Sequence, residues 1–200
     1  SDVYKRQGCD GALYQCLRSR MVLTSQEEAQ QIKDIVDAGV EGIPEEDLQV
    51  LDFKRWREAL SRGFAAHHAG MLPAFRHIVE DLFVRGLVRA VFATETLALG
   101  INMPARTVVL EKLIKFNGEA HVDLTPGQYT QLTGRAGRRG IDTLGNAVVQ
   151  WAPAMDPRQV AGLASTRTYP LISTFAPGYN MAINLLGMLG FEESLRLLEK

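Results

Sequence analysis

Residues 88–104 read VRAVFATETLALGINMP, and this stretch decides the fold class. Its first six residues, 88–93, form a short apolar run of the length and composition that buried strands have. The polar triplet Thr-Glu-Thr follows at 94–96, and a glycine and a proline come after it. Because ligands of parallel sheets bind at the carboxyl ends of strands, the stretch predicts a strand followed by a binding loop.

The same alternation of apolar runs and helical patterns extends over residues 63–151. Two further apolar runs, Thr107 to Leu110 and Ala147 to Trp151, predict buried strands. Between the runs, one helix is predicted from about Pro73, and a second is opened by a capping box at Thr125. Strands that alternate with helices are typical of an α/β fold with a parallel β-sheet flanked by helices.

Helical patterns also precede and follow this alternating region. One of them is opened by Ser25 with Glu28 three residues later, which is the sequence of a capping box. The predicted spans are 9–18, 26–37 and 45–60 before the region, a short helix from Asp156, and two apolar-faced helices at about 179–200. These helices are expected to form scaffold rather than to carry chemistry.

The composition is that of a globular chain of 200 residues, with 46% hydrophobic and 22% charged residues. This length allows one α/β domain and the start of a second unit. No apolar run approaches the ~18–20 residues that a membrane span needs. The formal net charge is −1, so any affinity for nucleic acid would come from locally placed groups.

Cys9 and Cys16 are the only cysteines, which excludes a disulfide framework and predicts reduced thiols in a cytoplasmic protein. Their spacing of two helical turns is explained better by a shared buried face than by reactivity. The histidines follow none of the usual finger spacings, and no metal site is predicted.

Residues 131–140 read QLTGRAGRRG and place three arginines among three glycines at the end of a predicted helix. A guanidinium presents a rigid fork of donors suited to phosphate oxygens, and neighbouring glycines allow close approach of a ligand. The alternative is a solvated basic helix end that complements the helix dipole. The binding loop predicted at 94–104 favours the phosphate site.

Here the sequence resembles a known family. ATETLALGINMPARTV at 93–108 and QLTGRAGRRG at 131–140 resemble motifs five and six of superfamily-two helicases, in the wording of the superkiller and exosome-associated branch. HHAGMLP at 67–73 resembles an additional motif of that branch, and FAPGYNMAINL at 175–185 resembles the junction where its winged-helix domain begins. The wording is most similar to that of the bacterial HelY-type helicases.

The resemblance implies a division of the chain. Residues 8–153 are expected to form the second RecA-like helicase lobe, 154–176 a linker, and 177–200 the start of a helical winged-helix region. Family members carry an apolar strand where this chain has SDVYKRQ, so residues 1–7 are interpreted as foreign or misread sequence. The sheet is accordingly expected to lack a strand.

The resemblance also implies an ATP site shared between two lobes. Arg135 and Arg138 match the arginines that stabilise charge on the transferred phosphoryl group, whereas Arg139 is either a third ligand or a surface neighbour. The remaining matches are Gln131, which faces the γ-phosphate, and the nucleotide-binding positions Gly100, Asn102 and Gly134. No G-x-x-x-x-G-K-[ST] loop and no Asp-Glu-x-His box occurs in the sequence, so ATP and Mg²⁺ are expected to be held mainly by a first lobe in cis.

Contacts to nucleic acid are implied for Thr94, Glu95, His67 and His68. Thr94 matches a hydroxyl donor to a phosphate oxygen, and such a contact positions a strand without reading its sequence. The histidine pair is either a contact to the strand or a structural pair at a strand end. Three functions are compatible with these residues: a lobe of an RNA helicase moving 3′ to 5′, a lobe of a DNA helicase, and a non-catalytic nucleic-acid-binding module.

Overall fold

The computed structural model describes residues 2–94, 103–116, 120–153, 155–166 and 179–198. The chain forms two compact units, Ser1–Arg167 and Thr168–Lys200, which are described separately. The predicted lobe and linker boundaries at 153 and 176 stay predictions.

Four helices open the first unit: α1 Asp2–Arg18, α2 Gln26–Gly39, α3 Glu45–Val50 and α4 Phe53–Ser61. The capping box predicted at the start of α2 is confirmed, since the Ser25 hydroxyl accepts from the Glu28 amide and the Glu28 carboxylate accepts from the Ser25 amide. Residues 2–7 belong to α1, so they form no strand. That they are foreign or misread sequence stays a prediction.

The prediction of a single helix over 45–60 is wrong, because the helix is interrupted between α3 and α4. Asp52 adopts a left-handed backbone conformation with φ 52°, which ends one helix and starts the next. Aspartate tolerates this conformation better than most residues do. The apolar spacing across the break imitated one continuous helix.

Two pairs of parallel strands follow. β1 Phe64–His67 pairs with β2 Ala90–Ala93, and the helix α5 Pro73–Val84 connects them. β3 Thr107–Leu110 pairs with β6 Asn146–Val149, which adds two strands predicted from the sequence. The α/β class with parallel strands flanked by helices is thus confirmed. Within the described residues the strands form separate two-stranded sheets rather than one continuous sheet.

Three further elements complete the first unit. An antiparallel hairpin of β4 Ile114–Phe116 and β5 His121–Asp123 was not predicted. The helix α6 Pro126–Thr133 begins with the predicted capping box of Thr125 and Gln128. The short helix α7 Pro157–Ser165 begins at Asp156, as predicted.

The main core lies between α2, α4, α5 and β1. Its centre is a stack of Trp56 on Phe75, with ring centroids 4.1 Å apart and ring planes 13° apart. Fully burying a side chain of this kind stabilises a fold by about 1.5–3 kcal/mol. The aliphatic residues of this core with 0% or 1% exposure are Ile32, Val36, Leu60, Ala65, Val79, Leu82 and Val88.

The predicted strands are less buried than expected. All four residues of β1 are buried, but Val109 of β3 and Val148 of β6 are 58% and 45% exposed, and Trp151 is 66% exposed. Val109 and Val148 are partners in the strand register, so they share one bare face of the pair. The opposite face packs on a small cluster around Leu113, Leu124, Tyr129 and Leu163.

The second unit contains the helices α8 Tyr179–Leu189 and α9 Phe191–Leu198, as predicted. Apolar side chains of both helices are exposed, including Met188 at 83% and Phe191 at 70%. None of the helices in the described ranges is long and apolar enough to cross a membrane.

Candidate functional site

The carboxyl ends of β1 and β2 bring together three of the predicted site residues. The Thr94 amide donates a hydrogen bond to the His67 carbonyl over 3.3 Å, so the ladder continues one residue beyond β2. Thr94 is half-buried at this edge. The position agrees with the rule that ligands of parallel strands bind at carboxyl ends. Glu95, predicted to act beside Thr94, lies outside the described residues.

His67 is 3% exposed and faces α5. Its Nε2 lies 2.8 Å from Oε1 of Glu80, while no partner for its buried Nδ1 is found in the described part of the chain. A hydrogen bond donated from Nε2 to the carboxylate accounts for this distance. The side chain thus ties the end of β1 to α5.

His68 is 7% exposed and faces α1. Its Nδ1 accepts from the Gly70 amide over 3.2 Å, so Nε2 carries the hydrogen and donates to Oδ1 of Asp10 over 3.3 Å. Both histidines therefore bond to carboxylates within the fold, Glu80 and Asp10, which favours the structural interpretation of the pair. Their contact to nucleic acid stays a prediction.

The arginine-rich loop begins where α6 ends. Gly134 donates to the Thr130 carbonyl over 2.7 Å, and a Cβ at this position would lie 2.8 Å from the same oxygen. A side chain there would displace the last turn of the helix. Gln131 is exposed on that turn, and Arg135 is half-buried directly after it.

Backbone contacts on two sides hold this loop in place. Ala105 donates to the Arg135 carbonyl over 3.0 Å and accepts from the Gly137 amide over 2.7 Å. On the other side, a Cβ on Gly145 would lie 2.5 Å from the backbone of Ala136 and Gly137. Gly137 itself has φ +88°, a conformation that favours glycine. The loop is thus clamped between Ala105, ahead of β3, and Gly145, ahead of β6.

The clamp connects the ends of the two predicted motifs. Ala105 follows directly on the stretch 94–104, and it forms an isolated parallel bridge with Ala136. The motif five residues Gly100 and Asn102 lie outside the described residues, and they stay predictions.

Arg138 is bound by an acidic residue that was not predicted from the sequence. Asp142 accepts from the Arg138 side chain through Nε at 2.8 Å and NH2 at 2.9 Å, and from the Arg138 backbone amide at 2.9 Å. The Asp142 side chain is 8% exposed and that of Arg138 is 41% exposed. The i,i+4 spacing of an arginine and an aspartate was the available sequence signal.

The pairing of Arg138 with Asp142 shifts the pKa of each group in the direction that favours its charged form. The hydrogen bonds from the Arg138 side chain and backbone lower the pKa of Asp142 to about 2. The same pairing raises the pKa of the Arg138 guanidinium above its usual value. Both groups are therefore charged at neutral pH, and the pair forms a charge-assisted fork of the kind that arginine makes with carboxylates and phosphates.

Comparison with known proteins identifies the family. The model of the family described as "Helicase conserved C-terminal domain" matches residues 24–140, which is more than half of the chain. The chain belongs to this helicase C-terminal domain family. The match extends from α2 to the end of the arginine-rich loop and includes Thr94, Arg135 and Arg138.

Individual relatives agree with this assignment. "Probable helicase HelY" of Mycobacterium tuberculosis (strain ATCC 25618 / H37Rv) is 65% identical over 198 residues, which is 99% of this chain and 22% of that protein. "Exosome RNA helicase MTR4" of Homo sapiens is 34% identical over 183 residues, covering 92% of this chain and 17% of that protein. "DExH-box ATP-dependent RNA helicase DExH9" of Arabidopsis thaliana is 34% identical over 183 residues, covering 92% and 18%.

The expected resemblance to the superkiller and exosome-associated branch of helicases, and to the HelY type within it, is thereby confirmed. The helicase C-terminal domain described here spans roughly a fifth of the length of these relatives. Its RecA-like α/β fold agrees with the parallel strand pairs and flanking helices of the first unit.

Proposed function

We propose that this helicase C-terminal domain is the second motor lobe of an ATP-dependent RNA helicase that moves 3′ to 5′, with Arg138 and Arg135 acting as arginine fingers. The observation that carries the proposal is the clamped loop. Its two arginines follow a capped helix end, and backbone contacts to Ala105 and Gly145 fix its course. A rigid, partly exposed pair of guanidinium groups is what a phosphoryl-transfer site needs from its second lobe.

The physical reason lies in the charge of the reacting group. During phosphoryl transfer, charge spreads over the equatorial oxygens, and a preorganised guanidinium stabilises it with little reorganisation. The Arg138 guanidinium pairs with both oxygens of the Asp142 carboxylate, which shows that its planar donor groups bind anionic oxygens. The donor set therefore fits an anionic oxygen ligand.

The residues proposed to hold ATP from this side are Arg135, Arg138, Gln131, Gly134, Gly100 and Asn102. When bound, ATP supplies the phosphoryl group that is transferred to water. Mg²⁺ is proposed to be held by a first lobe in cis, because the sequence has no G-x-x-x-x-G-K-[ST] loop and no Asp-Glu-x-His box. Consequently, this chain alone is proposed to have no ATPase turnover.

Thr94 is proposed to donate its hydroxyl to a phosphate of the bound strand, with Glu95 beside it. Its place at the carboxyl end of β2 supports this role. RNA is proposed as the substrate because two of the relatives are named as RNA helicases. The alternative is DNA, because a phosphate contact does not distinguish the sugars. The free thiols Cys9 and Cys16 support a cytoplasmic location.

The test is the RNA-stimulated ATPase rate of the complete helicase carrying single substitutions. Arg138→Ala is expected to lower kcat by about 10³–10⁵, with a much smaller change in affinity for ATP. Arg138→Lys should recover little, because a point charge cannot reproduce the fork. Arg139→Ala is the matched control, since Arg139 is exposed on the same loop. An Arg138→Ala enzyme that turns over at the wild-type rate would contradict the proposal.

A second measurement separates the proposed substrates. The complete helicase is given matched RNA and DNA duplexes with the same single-stranded overhang on either end. Faster unwinding of RNA from a 3′ overhang is expected. Equal or faster unwinding of DNA would assign the chain to a DNA helicase, and nucleic-acid binding without ATPase turnover would favour a non-catalytic binding role for this lobe.

A further inference from the structure

The Asp142 carboxylate accepts three hydrogen bonds, and all three come from Arg138. Two come from the guanidinium and one from the backbone amide, at 2.8–2.9 Å. The carboxylate is almost fully covered, at 8% exposure, while the guanidinium remains 41% exposed. The buried partner of this pair is therefore the carboxylate, and the accessible partner is the arginine.

The edge of the guanidinium that Asp142 binds determines which N–H groups of Arg138 remain available to a ligand. The carboxylate engages Nε and NH2, so it occupies one edge of the planar guanidinium. These bonds involve two of the five N–H groups and leave NH1 outside the pair. Because the group is rigid and flat, fixing the Nε edge also fixes the direction of the adjoining edge, formed by NH1 and the second N–H of NH2.

Asp142 is itself held by the loop that carries Arg138. The amides of Ile141 and Asp142 donate to the Arg138 carbonyl over 3.0 and 2.9 Å, which closes a single turn between residues 138 and 142. Gly137, directly before this turn, is clamped by Ala105 and Gly145. The carboxylate thus sits on a fixed piece of backbone.

We propose that Asp142 is a positioning residue. It holds the Nε edge of the Arg138 guanidinium, so that the adjoining NH1–NH2 edge faces the phosphoryl group. The inference rests on the proposed arginine-finger function. It adds that the Asp142 carboxylate orients the Arg138 side chain before ATP binds. Outer-shell carboxylates orient metal-binding histidines in the same way, and a group aimed in advance needs no reorganisation during the reaction.

The opposite role, a carboxylate that competes with phosphate and restrains the arginine, would require Asp142 to release Arg138 before each turnover. Two observations favour positioning. The carboxylate takes one edge only, and its third bond, to the Arg138 backbone, keeps it in place regardless of the side chain. Removing the carboxylate is therefore expected to slow the reaction rather than speed it.

The test uses Asp142→Asn in the complete helicase at saturating RNA. Asparagine has one acceptor oxygen, so it can keep the bond from the Arg138 backbone but cannot bind both arms of the fork. The freed side chain would sample several rotamers, and kcat is expected to fall about tenfold. KM for ATP and RNA affinity should stay close to those of the wild type, which a general structural defect would not allow.

Asp81→Asn is the matched control, because Asp81 and Arg85 form another i,i+4 pair, with a 2.9 Å bond, on the exposed side of α5. Its kcat should equal that of the wild type. Asp142→Asn added to Arg138→Ala should cause no further loss, because the only proposed target of Asp142 is then absent.

Each outcome decides between the ideas. A wild-type or faster kcat for Asp142→Asn, or an equal loss in the Arg138→Ala background, overturns the positioning role while leaving the finger intact. Loss of the finger role itself appears separately, as an active Arg138→Ala enzyme. If Asp142→Asn unfolds, Asp142→Glu replaces it, since glutamate keeps both oxygens at a different reach. A lower kcat at unchanged Tm then supports positioning, and a wild-type kcat overturns it.

Discussion

The two parallel strand pairs of the first unit differ in what covers them. The pair β1 and β2 is packed by α1, α4 and α5, and β1 is buried over its whole length. The pair β3 and β6 packs one face on a small cluster and leaves the other face bare, with Val109 and Val148 exposed. The arginine-rich loop is attached to this second, open pair.

The covered pair contributes most of the stability of the first unit, whereas the open pair carries the arginine-rich loop. The covered pair has a core of fully buried side chains, which supplies most of the hydrophobic stabilisation. The open pair has little such burial, so its loop is held by backbone hydrogen bonds and glycine contacts instead. Functional loops are commonly drawn from the less stable part of a domain.

A matched pair of leucine substitutions tests this division of stability, and we expect from it the largest effect. Leu82 of α5 is 0% exposed, whereas Leu144, ahead of β6, is 68% exposed. Leu82→Ala should lower the free energy of unfolding by about 2–5 kcal/mol through the cavity it leaves. Leu144→Ala should change it by less than about 0.5 kcal/mol.

The measurement is denaturant unfolding of this chain and its two variants. Similar losses for both variants would mean that the open pair is covered in solution, and the comparison would be broken.

The second prediction concerns the glycine clamp. Gly145→Ala would place a Cβ 2.5 Å from the backbone of Ala136 and Gly137, so the loop or β6 must move. Overpacking of this kind costs about 1–3 kcal/mol. We expect lower stability and, in the complete helicase, a loss of ATPase activity because Arg138 is displaced.

Gly162→Ala in α7 is the matched control, because a Cβ there meets nothing within 4 Å. Alanine should stabilise that helix by about 0.5–1 kcal/mol. If Gly145→Ala is equally benign in denaturant unfolding and in the ATPase assay, the loop is not held by this contact.

Much of the first unit could be predicted from the sequence, because the signals of its elements are local. The capping boxes at Ser25 and Thr125, the strand at 107–110 and the helix from Pro73 all depend on neighbouring residues and are confirmed. The break at Asp52 was missed because a single left-handed residue leaves the apolar spacing almost unchanged. Local patterns do not report it.

What the sequence did not predict depends on contacts between distant segments. The exposure of β3 and β6 follows from which elements pack on them, and apolar composition alone suggested burial. The clamp on the loop needs Ala105, which lies far from the loop in sequence, and a close backbone approach of Gly145 that no local pattern predicts. Asp142 lies close to the loop, but the resemblance predicts roles only for the arginines and none for this partner.

The third prediction sharpens the comparison by assigning one functional contact to the covered pair. Thr94→Val in the complete helicase should weaken RNA binding by about 0.5–1.5 kcal/mol, the net contribution of one neutral hydrogen bond. The loss should be similar for RNAs of different sequence, because a phosphate contact reads no base.

Thr107→Val, at an exposed position of β3, is the control and should leave binding unchanged. Fluorescence anisotropy with labelled single strands of several sequences gives the affinities. A loss confined to one sequence would show that Thr94 contacts a base.

The smallest effect is expected from mild acid on the loop of the open pair. The pKa of Asp142 is lowered from 3.8 to about 2, because Arg138 donates to the carboxylate from its side chain and its backbone. A lowered pKa in the folded state means that the pair stabilises the fold fully above the unfolded pKa and loses this contribution as the pH falls through the folded pKa. The pair should therefore be unaffected between about pH 7 and pH 4 and should weaken only from about pH 4 to pH 2. The measurement is the difference in unfolding free energy between the wild type and Asp142→Asn at a series of pH values. This difference should stay constant down to about pH 4 and shrink below it. A difference that does not change down to about pH 2, or one that grows as the pH falls, would mean that Asp142 has an ordinary or raised pKa, and that Arg138 is not held by the fork in solution.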